Sequence, residues 1–147
     1  MRRSTCCLLV MVFGSWLSSF GQRAPKFTTP QIVATFQRLN QTKEIKPVTI
    51  YTPPQWGTFR ISIIMILTVA NGNNGPLWAG RVRFTDAIGV DTWFPQAALS
   101  TVEPISTFTE GPFRAKAGTP IRFSVSSQNG DTSNTKYNVW VVVEQLM

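Results

Sequence analysis

The amino-acid sequence predicts an all-β protein: an antiparallel β-sandwich of about eight to ten strands, preceded by a signal peptide. Three observations carry that expectation. Short apolar or alternating segments recur along the chain, separated by clusters of Gly, Pro, Asn and Asp that favour turns. No segment after the N-terminal region repeats its apolar residues with the 3.6-residue period of a helix. Both cysteines, Cys6 and Cys7, lie near the start, so the remainder has to be held together by packing alone.

The N-terminus opens with Arg2 and Arg3, followed by the apolar run Cys6–Leu17 and then by small residues. That run is shorter than the roughly 20 residues a transmembrane helix needs and fits the apolar region of a signal peptide. Ser19 and Gly21 stand where the small residues of a cleavage site belong. The expected organisation is a signal peptide over 1–21, a flexible leader over 22–30 (QRAPKFTTP) and one β-sandwich domain over 31–147. This implies a secreted or periplasmic protein with no transmembrane segment after cleavage. It would also be free of thiols, since cleavage removes both cysteines.

The strands follow in order. Gln31–Leu39 alternates Ile32, Ala34 and Phe36 against Val33, Thr35 and Gln37, and Asn40–Glu44 turns out of it. Ile45–Tyr51 is interrupted by Pro47, which cannot donate to a ladder and so predicts an edge strand. Thr52–Gly57 is a tight connection into Thr58–Ala70, the longest strand. Asn71–Pro76 (NGNNGP) turns into Leu77–Thr85, and Asp86–Gly89 turns into Val90–Phe94. Ser100–Thr109 and Phe113–Lys116 read as weaker strands on either side of Gly111-Pro112. Pro120–Ser127, a polar loop over 128–135, and Lys136–Leu146 complete the chain.

The faces of these strands differ. Pro120–Ser127 sets Ile121, Phe123 and Val125 against Arg122, Ser124 and Ser126, as a strand with one wet face does. Leu77–Thr85 sets Trp78, Val82 and Phe84 against Arg81 and Arg83. Thr58–Ala70 and Lys136–Leu146 break the rule. Ile64 and Ile66 share a face with Arg60 and Ser62, and Trp140 and Val142 oppose Tyr137, Val139, Val141 and Val143. Burying a large apolar side chain gains about 1.5–3 kcal/mol, so a second apolar face asks for a cover. Ile64, Ile66, Trp140 and Val142 are therefore the candidate oligomer interface, with capping by the chain's own loops as the alternative.

Composition excludes much chemistry. The chain has no histidine, and its cysteines leave with the signal, so triads and zinc sites built on those groups are ruled out. Asp86 and Asp91 flank one turn; they are either two turn-forming aspartates or the carboxylate pair of a glycan hydrolase. Asn129, Asp131 and Asn134 in one loop offer oxygen ligands to calcium, but a single carboxylate is thin for a cation, and no metal or other cofactor is expected. Asn40-Gln41-Thr42 matches a glycosylation sequon, relevant only to a eukaryotic secretory route.

The formal net charge of +7, from 14 Lys and Arg against 7 Asp and Glu, favours anionic partners. No run of basic residues points to nucleic acid. Arg60, Arg81, Arg83 and Arg122 all fall on outward faces and would form one basic patch if their strands were neighbours. Trp56 and Trp93 lie in or near turns, where an exposed flat ring can stack on a sugar or, alternatively, plug the core. These six residues are the candidate ligand-binding set.

The run Tyr51–Met65 (YTPPQWGTFRISIIM) resembles a motif of the globular heads of the complement-subcomponent and tumour-necrosis-factor-like superfamily. There a Thr-Pro turn and a glycine precede an aromatic residue that opens a core strand; here these are Thr52, Pro53, Gly57 and Phe59. The closing order is similar too: a Lys-Ala-Gly turn at Lys116–Gly118, the strand Ile121–Val125, a loop and a final apolar strand. Small secreted bacterial β-sandwiches share this layout. The resemblance implies a jelly roll and a homo-oligomer, with a trimer as the family's stoichiometry. It also implies ligand recognition through loops. Together these readings describe a secreted, non-catalytic binding or assembly module for a glycan or protein surface. A structural subunit of an envelope or appendage is the alternative, and a carboxylate-dependent glycan hydrolase a distant one.

Overall fold

In the computed structural model, residues 29–70, 76–100, 106–128 and 132–146 are described, and they form eight strands. The strands are β1 (Gln31–Gln41), β2 (Ile45–Tyr51), β3 (Gly57–Val69), β4 (Pro76–Thr85), β5 (Asp91–Ser100), β6 (Ser106–Ala115), β7 (Ile121–Ser127) and β8 (Lys136–Gln145). They build two four-stranded sheets, ordered β1-β8-β3-β6 and β2-β7-β4-β5. The expected signal peptide, and all but the end of the expected leader, lie outside the described residues.

The pairing is nested. First pairs with last (β1 with β8), then β2 with β7, β3 with β6, and β4 with β5, each antiparallel. One long hairpin has thus been rolled so that successive pairs fall in alternate sheets, which is the jelly-roll arrangement the sequence implied.

Inward positions obey the two-residue period of strands. Phe59, Ile61, Ile63 and Met65 of β3 and Tyr137, Val139, Val141 and Val143 of β8 are buried from one side; Trp78, Val82, Phe84, Ile121, Phe123 and Val125 are buried from the other. Four ring pairs bridge the sheets: Phe36–Phe123, Tyr51–Phe59, Trp78–Tyr137 and Phe84–Phe113, with centroids 5.5, 5.9, 4.8 and 4.4 Å apart. Such pairs add about 0.5–1.5 kcal/mol each beyond the area they bury. Gly80 sits where the sheets approach closely: a Cβ there would stand 2.7 Å from Met65 Sδ.

Two boundaries differ from the sequence reading. β6 runs unbroken through Gly111-Pro112, and β5 continues past Pro95 to Ser100. The reason is shared. Both strands are sheet edges, where a residue without an N–H can leave the partnered side of the ladder intact. β2, with Pro47, is an edge as expected.

The two ends are tied by short contacts. At one end, the Gly118 N–H donates to the Pro53 carbonyl (2.8 Å) and the Lys116 N–H to the Thr85 carbonyl (2.9 Å). At the other, the Tyr137 hydroxyl donates to the Lys43 carbonyl (2.8 Å), and burial holds that phenol well above its usual pKa. There, too, Trp78 Nε1–H donates to Thr135 Oγ1 at 3.0 Å, giving the buried indole its acceptor. Among the described residues no helix is long and apolar enough to cross a membrane.

Candidate binding site

The two outer faces of the sandwich are chemically unlike. On the β2-β7-β4-β5 sheet, strand alternation turns Arg122 and Ser124 of β7 outward, together with Arg81 and Arg83 of β4. Register sets Thr49 opposite Arg122, Arg122 opposite Arg83, and Arg83 opposite Trp93, in one row across all four strands. Arg81 stands opposite Ser124 in the next row. A hollow of about 440 Å³ lies over this grid, lined by Pro47, Thr49, Arg83, Arg122 and Ser124. A second, of about 240 Å³, continues past Arg83 and Arg122 to Asp91 and Thr119.

Asp91 is the local counter-charge. Arg83 Nε donates to Asp91 Oδ2 at 2.7 Å, and Arg83 Nη2 reaches the same oxygen. That hydrogen bonding holds the Asp91 carboxyl below its ordinary value, with the charges of Arg83 and then Arg122 adding to the effect. The same bond raises the pKa of the Arg83 guanidinium.

Arg60, expected in the same patch, lies on the other sheet. Its Nε donates to Glu144 Oε2 at 2.6 Å, and its Nη1 stands 3.2 Å from Glu110 Oε1. It therefore ties β3 to β8 and β6 and is already matched with two carboxylates. Arg81, Arg83 and Arg122 do fall on neighbouring strands. Trp56 is 66% exposed in the β2–β3 connection and does not line either hollow. Trp93 belongs to β5, and its side chain lies outside what the structure describes.

Asp86 and Asp91 do different work. Asp86 Oδ1 accepts from the N–H groups of Ile88 (3.0 Å) and Val90 (2.8 Å), closing the β4–β5 turn, in which Gly89 takes φ +94°. Asp91 is held by Arg83. Of the suggested calcium loop, Asn129 and Asp131 lie outside the described residues.

The outer face of the β1-β8-β3-β6 sheet is apolar at its centre. Ile64 stands opposite Trp140 on β8 and opposite Phe108 on β6, Ile66 pairs with Asn138, and Val142 pairs with Ser62. Ile64 is 40% exposed, while Ile66, Trp140 and Val142 are half-buried. The chain's own described residues thus leave this strip partly open. The Arg60–Glu110–Glu144 cluster borders it on one side.

Sequence reasoning missed Thr49 and Pro47 as lining of the hollow, and Asp91 as partner of Arg83. Pro47 and Thr49 carry no chemical signature and acquire a role only from the β2–β7 register. Asp91 was legible as a turn residue or as half of a carboxylate pair with Asp86, and not as an ion-pair partner, because Arg83 lies across the β4–β5 turn.

No protein-family model matches the chain, and no curated protein matches it. Among solved structures, it is similar to the Eiger TNF of S. frugiperda, at 15% identity and a TM-score of 0.40, over 80% of this chain and 94% of that one. It is also similar to a family 16 carbohydrate-binding module, at 16% identity and a TM-score of 0.42, over 71% of each chain.

Proposed function

We propose that the chain is an exported, non-catalytic binding module that assembles with copies of itself. Assembly uses the outer face of the β1-β8-β3-β6 sheet; the opposite sheet and the loops are left to a glycan or protein surface. The observation that carries this reading is the strip of Ile64, Ile66, Trp140 and Val142 at the centre of an outer sheet face, with Ile64 40% exposed. An apolar centre bordered by ion-paired side chains is the layout of a subunit interface. The trimer implied by the resemblance to tumour-necrosis-factor-like heads is the expected stoichiometry. The non-catalytic reading is supported by the separate structural roles of Asp86 and Asp91.

Sedimentation velocity across a range of protein concentrations tests the proposal. A discrete oligomer that persists on dilution is the expected result. A single-chain species at every concentration refutes assembly.

A further inference from the structure

From the arginine grid on the opposite sheet we infer a binding site for the sulfate or carboxylate groups of an anionic polysaccharide, centred on Arg83 and Arg122. The inference deepens the reading of the chain as a binding module and rests on it.

Like charges placed directly opposite on neighbouring strands destabilise a sheet. Arg83 and Arg122 are such a pair in register, and Arg81 stands in the adjoining row on the same face. Asp91 relieves this crowding unevenly, since its carboxylate is hydrogen-bonded to Arg83 and acts on Arg122 through charge alone. Arg122 makes no hydrogen bond or ion pair with any described residue, and its exposed side chain lines both hollows. An anion between the two guanidiniums would complete the balance that Asp91 begins. Guanidinium forks suit planar or tetrahedral oxyanions because they donate in parallel pairs.

The surroundings select the carrier of that anion. Thr49 and Ser124 bring hydroxyl groups to the hollow, and Pro47 brings an apolar ring. This mixture matches the hydroxyls and C–H faces of a sugar better than the uniform charge of a phosphate backbone. The volume of about 440 Å³ falls within the range of small-molecule sites. The hollow also lies across an open sheet face, along which an extended chain can lie. A flat bilayer would span the recess rather than fill it.

Asp91 then acts as an internal competitor. Removing its charge takes away the carboxylate that competes with the ligand for Arg83, whereas removing Arg122 deletes one half of the clamp. The two substitutions move affinity in opposite directions, which loss of fold cannot imitate.

The test is titration calorimetry of the purified protein at low and at physiological salt, with low-mass dextran sulfate, polygalacturonate, neutral dextran and phosphatidylglycerol vesicles as probes. Binding of either polyanion, weakened by salt, with none of neutral dextran, is expected; the probe that binds identifies a sulfated or a uronate chain. R122Q is expected to weaken binding at least tenfold, D91N to tighten it several-fold, and R114Q, which removes the same charge from the other sheet, to change it by less than twofold. Failure of both polyanions to bind overturns the proposal. So does equal binding by R122Q and wild type, an equal loss in R114Q, or binding only to phosphatidylglycerol vesicles. The mass of the same samples keeps the two readings apart. An oligomer that ignores both polyanions refutes this site and leaves assembly standing; a monomer that binds them through Arg122 does the reverse.

Discussion

Replacing Gly80 with alanine probes the closest approach in the core. The added Cβ would lie 2.7 Å from Met65 Sδ and 3.2 and 3.3 Å from two Phe123 ring atoms. Met65 and Phe123 are fully buried, so neither can swing into solvent. Overpacking of this kind costs about 1–3 kcal/mol. The stiffer unfolded chain returns about 0.4–1 kcal/mol. The net expected loss is about 1–2 kcal/mol. In urea this lowers the unfolding midpoint by about 0.5–1 M, at a slope of about 1–3 kcal/mol/M. A double-mutant cycle isolates the cause. Met65→Ala alone costs about 2–5 kcal/mol through its cavity. Combined with Gly80→Ala it should cost less than the sum by about 0.5 kcal/mol or more, because the new methyl enters the space vacated by the sulfur. Gly118→Ala is the control: its φ is +70° with nothing within 4 Å, so it costs backbone strain of about 1–2 kcal/mol and shows no coupling to Met65. Undiminished stability of Gly80→Ala, or strict additivity with Met65→Ala, would refute the packing argument.

Other consequences follow from single contacts. Phe123→Ala removes a fully buried ring paired with Phe36 and should cost about 3–5 kcal/mol in denaturant unfolding. Thr135→Val keeps the shape but leaves Trp78 Nε1–H without its acceptor, for an expected loss of about 1–3 kcal/mol by the same assay. Glu44 accepts from the Ser127 N–H and hydroxyl, both at 3.0 Å, and these bonds, with Lys46, hold its carboxyl below the ordinary 4.5. A carboxyl lowered in the folded state stabilises above its unfolded pKa and loses that contribution as pH falls through the folded value. Unfolding midpoints at pH 7 and pH 3 should therefore differ less in Glu44→Gln than in wild type; an unchanged difference would show that the Ser127 bonds contribute nothing.

What the sequence made legible follows from how local each signal is. Alternation in Pro120–Ser127 and Leu77–Thr85 correctly assigned their inner and outer faces, since a strand's period needs no knowledge of its partner. Pro47 marked an edge because a missing donor is a local fact. The same rule applied to Pro112 suggested a break, whereas the edge position of β6 tolerates it, and edge position is a property of the assembled sheet. The candidate site depended on register in the same way. Arg81, Arg83 and Arg122 came together and Arg60 did not, because outward-facing arginines look alike until strands are assigned to sheets. Ion pairing of Arg60 with Glu144, far away in sequence, lies beyond any local pattern.

If one outer sheet face is a subunit interface, light scattering on wild type beside Ile64→Lys will register it. Lysine at position 64 puts a charge into the middle of the strip while leaving the inward core of β3 untouched. Wild type is expected to have the mass of several chains, three by the resemblance, and the variant to be a folded single chain. A wild-type protein with the mass of one chain, or an oligomer that survives the lysine unchanged, would contradict it.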